Sequence, residues 1–240
     1  MASIAVLYAP GTNCHEETAA AVERAGGETA LVHLQDLIQG RSRLMDYHAA
    51  IVPGGFSYGD HLGAGRIFAT MLVAKLRDQL ADFLDAKRPI LGICNGFQIL
   101  AEAGILPKRQ PGTRAMALVE NQSSRFEDRR VRLLVSQERS MWTEGLEGMI
   151  LRMPSAHGEG RALIPESGHR TLFQFTDAQG NPTMEYPDNP SGSPDAVAGV
   201  TDETGLVLGL MPHPERASMP SHYSQDGLKL FQNLVCWLKR

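Results

Sequence analysis

The chain is poor in the features that mark several large classes of protein. It has three cysteines, Cys14, Cys94 and Cys236, an odd and scattered set. That usage argues against a disulfide framework and for a reducing compartment, the cytoplasm. Apolar runs are broken by charge well short of the roughly 18 residues a membrane-spanning helix requires. Met1-Ala2-Ser3 leads straight into a strand pattern, without the charged and apolar regions of a signal peptide. The net charge is -4 and no basic patch stands out, so nucleic acid is not expected as the main partner. No glycine loop is followed by the lysine and hydroxyl residue of a phosphate-binding loop. His15, His33, His48, His61, His169 and His222 lack metal-ligand spacing with one another, and no metal is proposed. Internal repeats and low-complexity tracts are missing too.

What remains is an ordinary globular composition, 42% hydrophobic and 21% charged over 240 residues. Strand and helix patterns alternate through the first hundred residues. Strands are expected at Ser3–Tyr8, Thr29–His33, Ala49–Val52 and Pro89–Ile93, and helices at Glu16–Ala25, Ile67–Ala86 and Asn95–Ala103. This rhythm predicts an α/β fold, a mostly parallel central sheet with helices on both faces. Beyond Arg114 shorter, antiparallel-type strands are expected at Val131–Ser136, Ile150–Met153 and Leu172–Phe175. A loop at Tyr186–Pro194, a strand at Leu206–Leu210 and a closing amphipathic helix at Asp226–Leu238 complete the pattern. No segment looks like a flexible linker, so 1–240 is read as one domain.

The most informative stretch is Gly92-Ile93-Cys94-Asn95-Gly96-Phe97-Gln98. A cysteine with glycine two residues before and after it, between a strand and a helix, is the cysteine form of the nucleophile elbow. The helix N-terminus favours the thiolate that a nucleophile needs. A buried structural cysteine is the competing reading, and the flanking glycines weigh against it. Gln98, one helical turn on, shares the face of Cys94 and offers an amide to a substrate over the sulfur.

Far along the chain, Met211-Pro212-His213-Pro214-Glu215 supplies a base and an acid. Proline pushes the preceding residue toward extended geometry, in which positions i and i+2 face the same way. Glu215 is then placed to fix the tautomer of His213 and stabilise its cation. Pro53–Asp60 ends the third strand with two glycines. The N–H groups of Gly55 and Asn95 are candidates for an oxyanion hole, a simple turn being the alternative. Ala156-His157-Gly158-Glu159-Gly160 either lines a pocket or is only a loop. Cys14 has no evident base nearby and reads as structural; Cys236 reads as core. The chemistry these residues support is acyl transfer through a cysteine.

These motifs resemble those of class I glutamine amidotransferases, with Gly-x-Cys-x-Gly-x-Gln followed much later by His-Pro-Glu. More closely, Pro10–Cys14, Pro53–Asp60, Asn121–Glu127, His157–Gly160 and Met211–Arg216 are similar to the glutaminase of phosphoribosylformylglycinamidine synthases, from about Ile4 to Leu238. The tail Asp226–Phe231 resembles the separate small subunit, not a domain fused to a large synthase. Gly63, Arg66 and Asp202 depart from what some members carry. The resemblance implies a flavodoxin-like fold and glutamine as substrate. It implies Cys94 as nucleophile with His213 and Glu215, Gly55 and Asn95 as oxyanion hole, and Gln98, Phe56, His157 and Glu159 at the substrate. No cofactor is implied in this chain. ATP and Mg are implied on a large partner synthetase that uses the ammonia to aminate formylglycinamide ribonucleotide, with a small third subunit as a possible further partner. A hydrolase of γ-glutamyl substrates, a non-catalytic scaffold subunit and a stress chaperone of similar architecture are the rival readings.

Overall fold

The computed structural model describes residues 3–165 and 167–240; the opening Met1-Ala2, on which the expectation about a signal peptide partly falls, lies outside them. The first half runs β1 (Ser3–Tyr8), α1 (His15–Arg24), β2 (Glu28–His33), α2 (Leu34–Ile38), β3 (Ala49–Val52), α3 (Arg66–Asp85), β4 (Ile90–Ile93) and α4 (Asn95–Glu102). The second runs β5 (Ala117–Val119), β6 (Glu127–Val135), β7 (Ile150–His157), β8 (Arg161–Leu163), β9 (His169–Phe175), β10 (Val197–Asp202), β11 (Val207–Leu210) and α5 (Leu228–Leu238).

Nine strands form one sheet in the order β2-β1-β3-β4-β11-β10-β9-β6-β7. From β2 to β11 neighbours are parallel. From β11 to β7 they are antiparallel. Strands β5 and β8 make a separate two-stranded ladder. The parallel strands β3, β4 and β11 are buried along their whole length, as strands covered on both faces must be. Chain order places β2 on one side of β1, and β3 and β4 on the other. Right-handed crossovers then send α1 and α3 to opposite faces of the sheet. α1 packs with α5, and α3 with α4. The reversal of direction lies between β1 and β3, the place where open sheets of this kind bind ligands.

Most elements lie within two residues of expectation, and the differences have local causes. Strand β6 starts at Glu127, not Val131: its first four residues are all charged, with no apolar alternation to mark a strand, and it is pairing with β7 that makes them one. Strands β7 and β9 are longer than expected, their added residues being mostly polar or small and held by ladder pairing to β6 and β10. Strand β10 and the β5–β8 ladder were not foreseen. β10 carries Gly199 at its centre, where a Cβ would lie 3.0 Å from the Gly209 carbonyl of β11. Cys236 is exposed, not core: the buried face of α5 is Leu230, Phe231, Leu234 and Val235, and position 236 falls off that stripe.

Candidate active site

Strand β4 ends at Ile93 and the chain turns at once into α4 at Asn95. Cys94 makes that turn with φ 50° and ψ -106°, a conformation that costs a non-glycine residue roughly 1–3 kcal/mol. The surrounding packing holds it there. α4 presses so closely on the sheet that a Cβ at Gly96 would overlap the Val52 carbonyl of β3. One at Gly92 would lie 2.7 Å from the Gly96 carbonyl. The two glycines are thus the space into which the helix fits. The Cys94 N–H donates to Leu210 of β11 at 2.8 Å, and its thiol donates to the Ala156 carbonyl of β7 at 3.4 Å.

His213 follows β11 and is tied to β7 by its N–H, which donates to the Pro154 carbonyl at 2.8 Å. Its Nδ1 lies 2.5 Å from Glu215 Oε1, both side chains being buried. The pair does not arise from an extended segment, as expected. Pro214 is helical (φ -67°, ψ -30°) and Glu215 opens a short 3-10 turn, so the carboxylate curls back onto the ring. Burial pushes the imidazole toward neutrality, but the Glu215 carboxylate outweighs it, with help from the Cys94 and Cys14 sulfurs. The proton is held well above the usual histidine range.

The loop after β3 is anchored to this centre by Asn95. Its Oδ1 accepts from the Ser57 N–H at 3.2 Å, and its Nδ2 donates to Gln98 Oε1 at 3.0 Å and Asp60 Oδ1 at 3.3 Å. Gly55 bridges Thr12, but the ladder bonds on either side are made by Phe56 N–H to Gly11 and Cys14 N–H to Gly54. That leaves the Gly55 N–H outside the ladder. Asn95 is the first residue of α4, so its N–H has no acceptor within the helix.

A cleft of about 290 Å³ opens here, lined by residues from both halves of the sheet. Cys94, Gln98, Gly55, Phe56, His157, Glu159 and His213 all border it. Phe56 and Phe126, 49% and 54% exposed, stand at its edge with ring centroids 6.2 Å apart. The Gln98 amide is already engaged: Nε2 donates to the Glu159 carbonyl at 2.6 Å, and Oε1 accepts from Asn95. His157 ends β7. Asn121 donates through Nδ2 to the His157 carbonyl at 2.7 Å, so its Oδ1 is the end that meets His157 Nδ1 at 2.9 Å and the Gly160 N–H at 3.0 Å. An oxygen cannot donate, so His157 carries its proton on Nδ1. Burial, then the nearby His213 charge, lower its pKa to about 4.

An elbow cysteine and the histidine of a buried histidine–carboxylate pair, bordering one cleft, are the parts of an acyl-transfer site. The family described as the CobB/CobQ-like glutamine amidotransferase domain matches residues 1–238. The chain belongs to that family. It is 43% identical over 242 residues to phosphoribosylformylglycinamidine synthase subunit PurQ of Pyrococcus horikoshii, covering 100% of both chains. A second relative, the subunit PurQ of Dehalococcoides mccartyi, is 40% identical over 249 residues, covering 98% of this chain and 97% of that protein. Among solved structures, a chain of PurLQS from Thermotoga maritima superposes with a TM-score of 0.82 at 33% identity, over 99% of each chain.

In this amidotransferase Cys14 does not stand apart from a base. Its sulfur, a nitrogen of His213 and a carboxylate oxygen of Glu215 lie within 4.8 Å of one another. Cys14 belongs to the turn after β1, and parallel strands bring the turns after β1, β3, β4 and β11 to one edge of the sheet. Position along the chain concealed this, although the first β-α turn of such a sheet always reaches that edge. Arg216, beside the recognised pair, also borders the cleft, as do Asn13 and Asp60. Burial raises the pKa of the Asp60 carboxyl, against hydrogen bonds from the Gly65 N–H and Asn95 that lower it.

Proposed function

We propose that this chain is the glutaminase subunit of a phosphoribosylformylglycinamidine synthase, acting as a single amidotransferase domain over 1–240. One observation carries the catalytic assignment: a cysteine held at positive φ in an elbow borders the same cleft as a buried His213–Glu215 pair. Cys94 passes its proton to His213, and the thiolate attacks the side-chain amide carbon of glutamine. The oxyanion is received by the N–H groups of Gly55 and Asn95; losing one such donor costs about 10²–10³ in rate. His213 then gives its proton to the nitrogen, the C–N bond breaks and ammonia leaves. Water, deprotonated by His213, attacks the thioester, releasing glutamate and the Cys94 sulfur.

Glu215 keeps the imidazole oriented and its cation stable through both steps. Phe56, His157, Glu159 and Gln98 form the walls against which glutamine is held. The ammonia passes to a large synthetase subunit, with a small third subunit in the assembly, and aminates formylglycinamide ribonucleotide. ATP and Mg belong to the synthetase in this reading, and the cytoplasm is the compartment. A scaffold role is the weaker reading, since all three members of the Cys-His-Glu set are present, with Cys94 and His213 bordering one cleft and Glu215 buried behind the histidine.

The test is Cys94→Ser in the assembled enzyme. Glutamine-dependent synthesis should be lost, while synthesis from added ammonium salt persists at the wild-type rate. Loss of both activities would count against the division of labour, and retention of glutamine-dependent synthesis would remove Cys94 from the mechanism.

A further inference from the structure

Cys14 is in contact with two groups that carry or acquire positive charge. The Arg216 guanidinium donates from Nη2 to its sulfur at 3.2 Å, while Nε of the same group binds Glu17 Oε1 at 3.0 Å. On another side is the imidazole of His213. Gly54 gauges the crowding there: a Cβ at that position would lie 3.2 Å from Cys14 Sγ, 2.8 Å from His213 Cε1 and 3.4 Å from Nδ1. The thiol proton is accounted for, because Sγ donates to Asn13 Oδ1 at 3.3 Å. The sulfur lone pairs are then free to face the guanidinium and the edge of the ring. The backbone holds the residue firmly, its N–H donating to Gly54 at 3.2 Å and its carbonyl accepting from the Thr18 hydroxyl at 2.6 Å.

We propose that Cys14 is a positioning residue for the reaction: its neutral sulfur engages the Arg216 guanidinium and keeps that charge off the His213 imidazolium. This rests on the reading of His213 as the proton carrier. A polarizable sulfur accepts a hydrogen bond without bringing a charge of its own. Burial pushes the Cys14 thiol above its ordinary range, against the pull of His213 and Arg216, which keeps it neutral. Without the sulfur, the guanidinium, whose side chain is 35% exposed at the cleft, would face the buried imidazolium with nothing set between the two like charges. The imidazolium would shed its proton at lower pH, and Cys94 would lose its counter-ion.

The test follows the His213 Cε1–H resonance of the isolated chain against pH by NMR, beside the pH profile of glutamine-dependent kcat/KM in the assembled enzyme. Cys14→Ala should lower the proton affinity of His213 about tenfold and move the alkaline limb of the profile down by the same amount. KM for glutamine should stay within about twofold. Adding Arg216→Gln to Cys14→Ala should restore the wild-type titration, the coupling that a double-mutant cycle isolates. Cys14→Ser, whose hydroxyl accepts the same guanidinium bond, should remain within about threefold of wild type. An unchanged titration in Cys14→Ala, or a fall that Arg216→Gln does not reverse, would overturn the proposal and leave Cys14 a packing residue. An NMR shift as described in a chain whose complex shows no glutaminase activity would sink the functional reading instead and spare the electrostatic one.

Discussion

Gln98 and Glu159 lie on opposite halves of the sheet, and a 2.6 Å hydrogen bond from the Gln98 amide to the Glu159 carbonyl joins them. Gln98 belongs to α4, which packs on the parallel strands; Glu159 follows β7, at the far edge of the antiparallel set. The bond closes the cleft wall behind Cys94. Removing it frees the segment after β7, at a cost typical of one net hydrogen bond, ~1–1.5 kcal/mol. Gln98→Ala should therefore raise KM for glutamine about tenfold, with a smaller effect on kcat. Steady-state kinetics of the assembled enzyme measure this, and an unchanged KM would confine Gln98 to the fold.

Glu215→Gln keeps an oxygen for the His213 Nδ1–H but removes the charge. Burial, which Glu215 overcomes only together with the Cys94 and Cys14 sulfurs, then dominates and drives the imidazole toward neutrality. We expect kcat to fall by at least about 10² with little change in KM. The alkaline limb of the pH profile should move to lower pH. A variant with a wild-type profile would mean that Glu215 only fills space.

His157 makes stability depend on pH. Its folded-state pKa of about 4 lies below the ordinary histidine value of about 6.5. Between those values the unfolded chain binds a proton that the folded chain refuses, so stability falls as the pH drops from about 6.5 toward 4. At pH 5 the loss from this one group is ~2 kcal/mol. Urea unfolding at pH 7 and pH 5 should show it in the wild type, and His157→Gln should flatten the slope by that amount. Equal slopes in both proteins would place the proton elsewhere.

Gly96→Ala tests the elbow as packing. The added methyl would meet the Val52 carbonyl, backbone that has no room to retreat because β3 is buried in the sheet. We expect destabilisation beyond ~3 kcal/mol, at the severe end for single substitutions. Thermal or urea unfolding of the isolated chain measures it; a loss under ~1 kcal/mol would show that α4 can lift from the sheet.

The parallel half of the fold was legible because local signals agreed there. β3 was placed to the residue, since a run of four apolar residues ends abruptly at Pro53-Gly54-Gly55. The elbow announced itself because steric demand at Gly92 and Gly96 and the turn at Cys94 occupy adjacent positions. The antiparallel half was harder. In β6, charged residues alternate with buried ones, and its first four residues look like loop unless the partner strand is known. Cys14 and Arg216 were missed as neighbours of His213 for a related reason. Their meeting is set by strand order, joining turns some two hundred residues apart, and no local pattern encodes it. The His213–Glu215 pair was found through an incorrect geometry, an extended segment in place of a 3-10 turn, because either conformation brings the two side chains to one side.

The outward position of Cys236 has a practical use. Cys14 and Cys94 are buried and Cys236 is exposed, so a bulky maleimide dye should attach there first, on the closing helix and away from the cleft. Fluorescence from that single handle would follow assembly with a larger subunit while leaving the two buried sulfurs untouched.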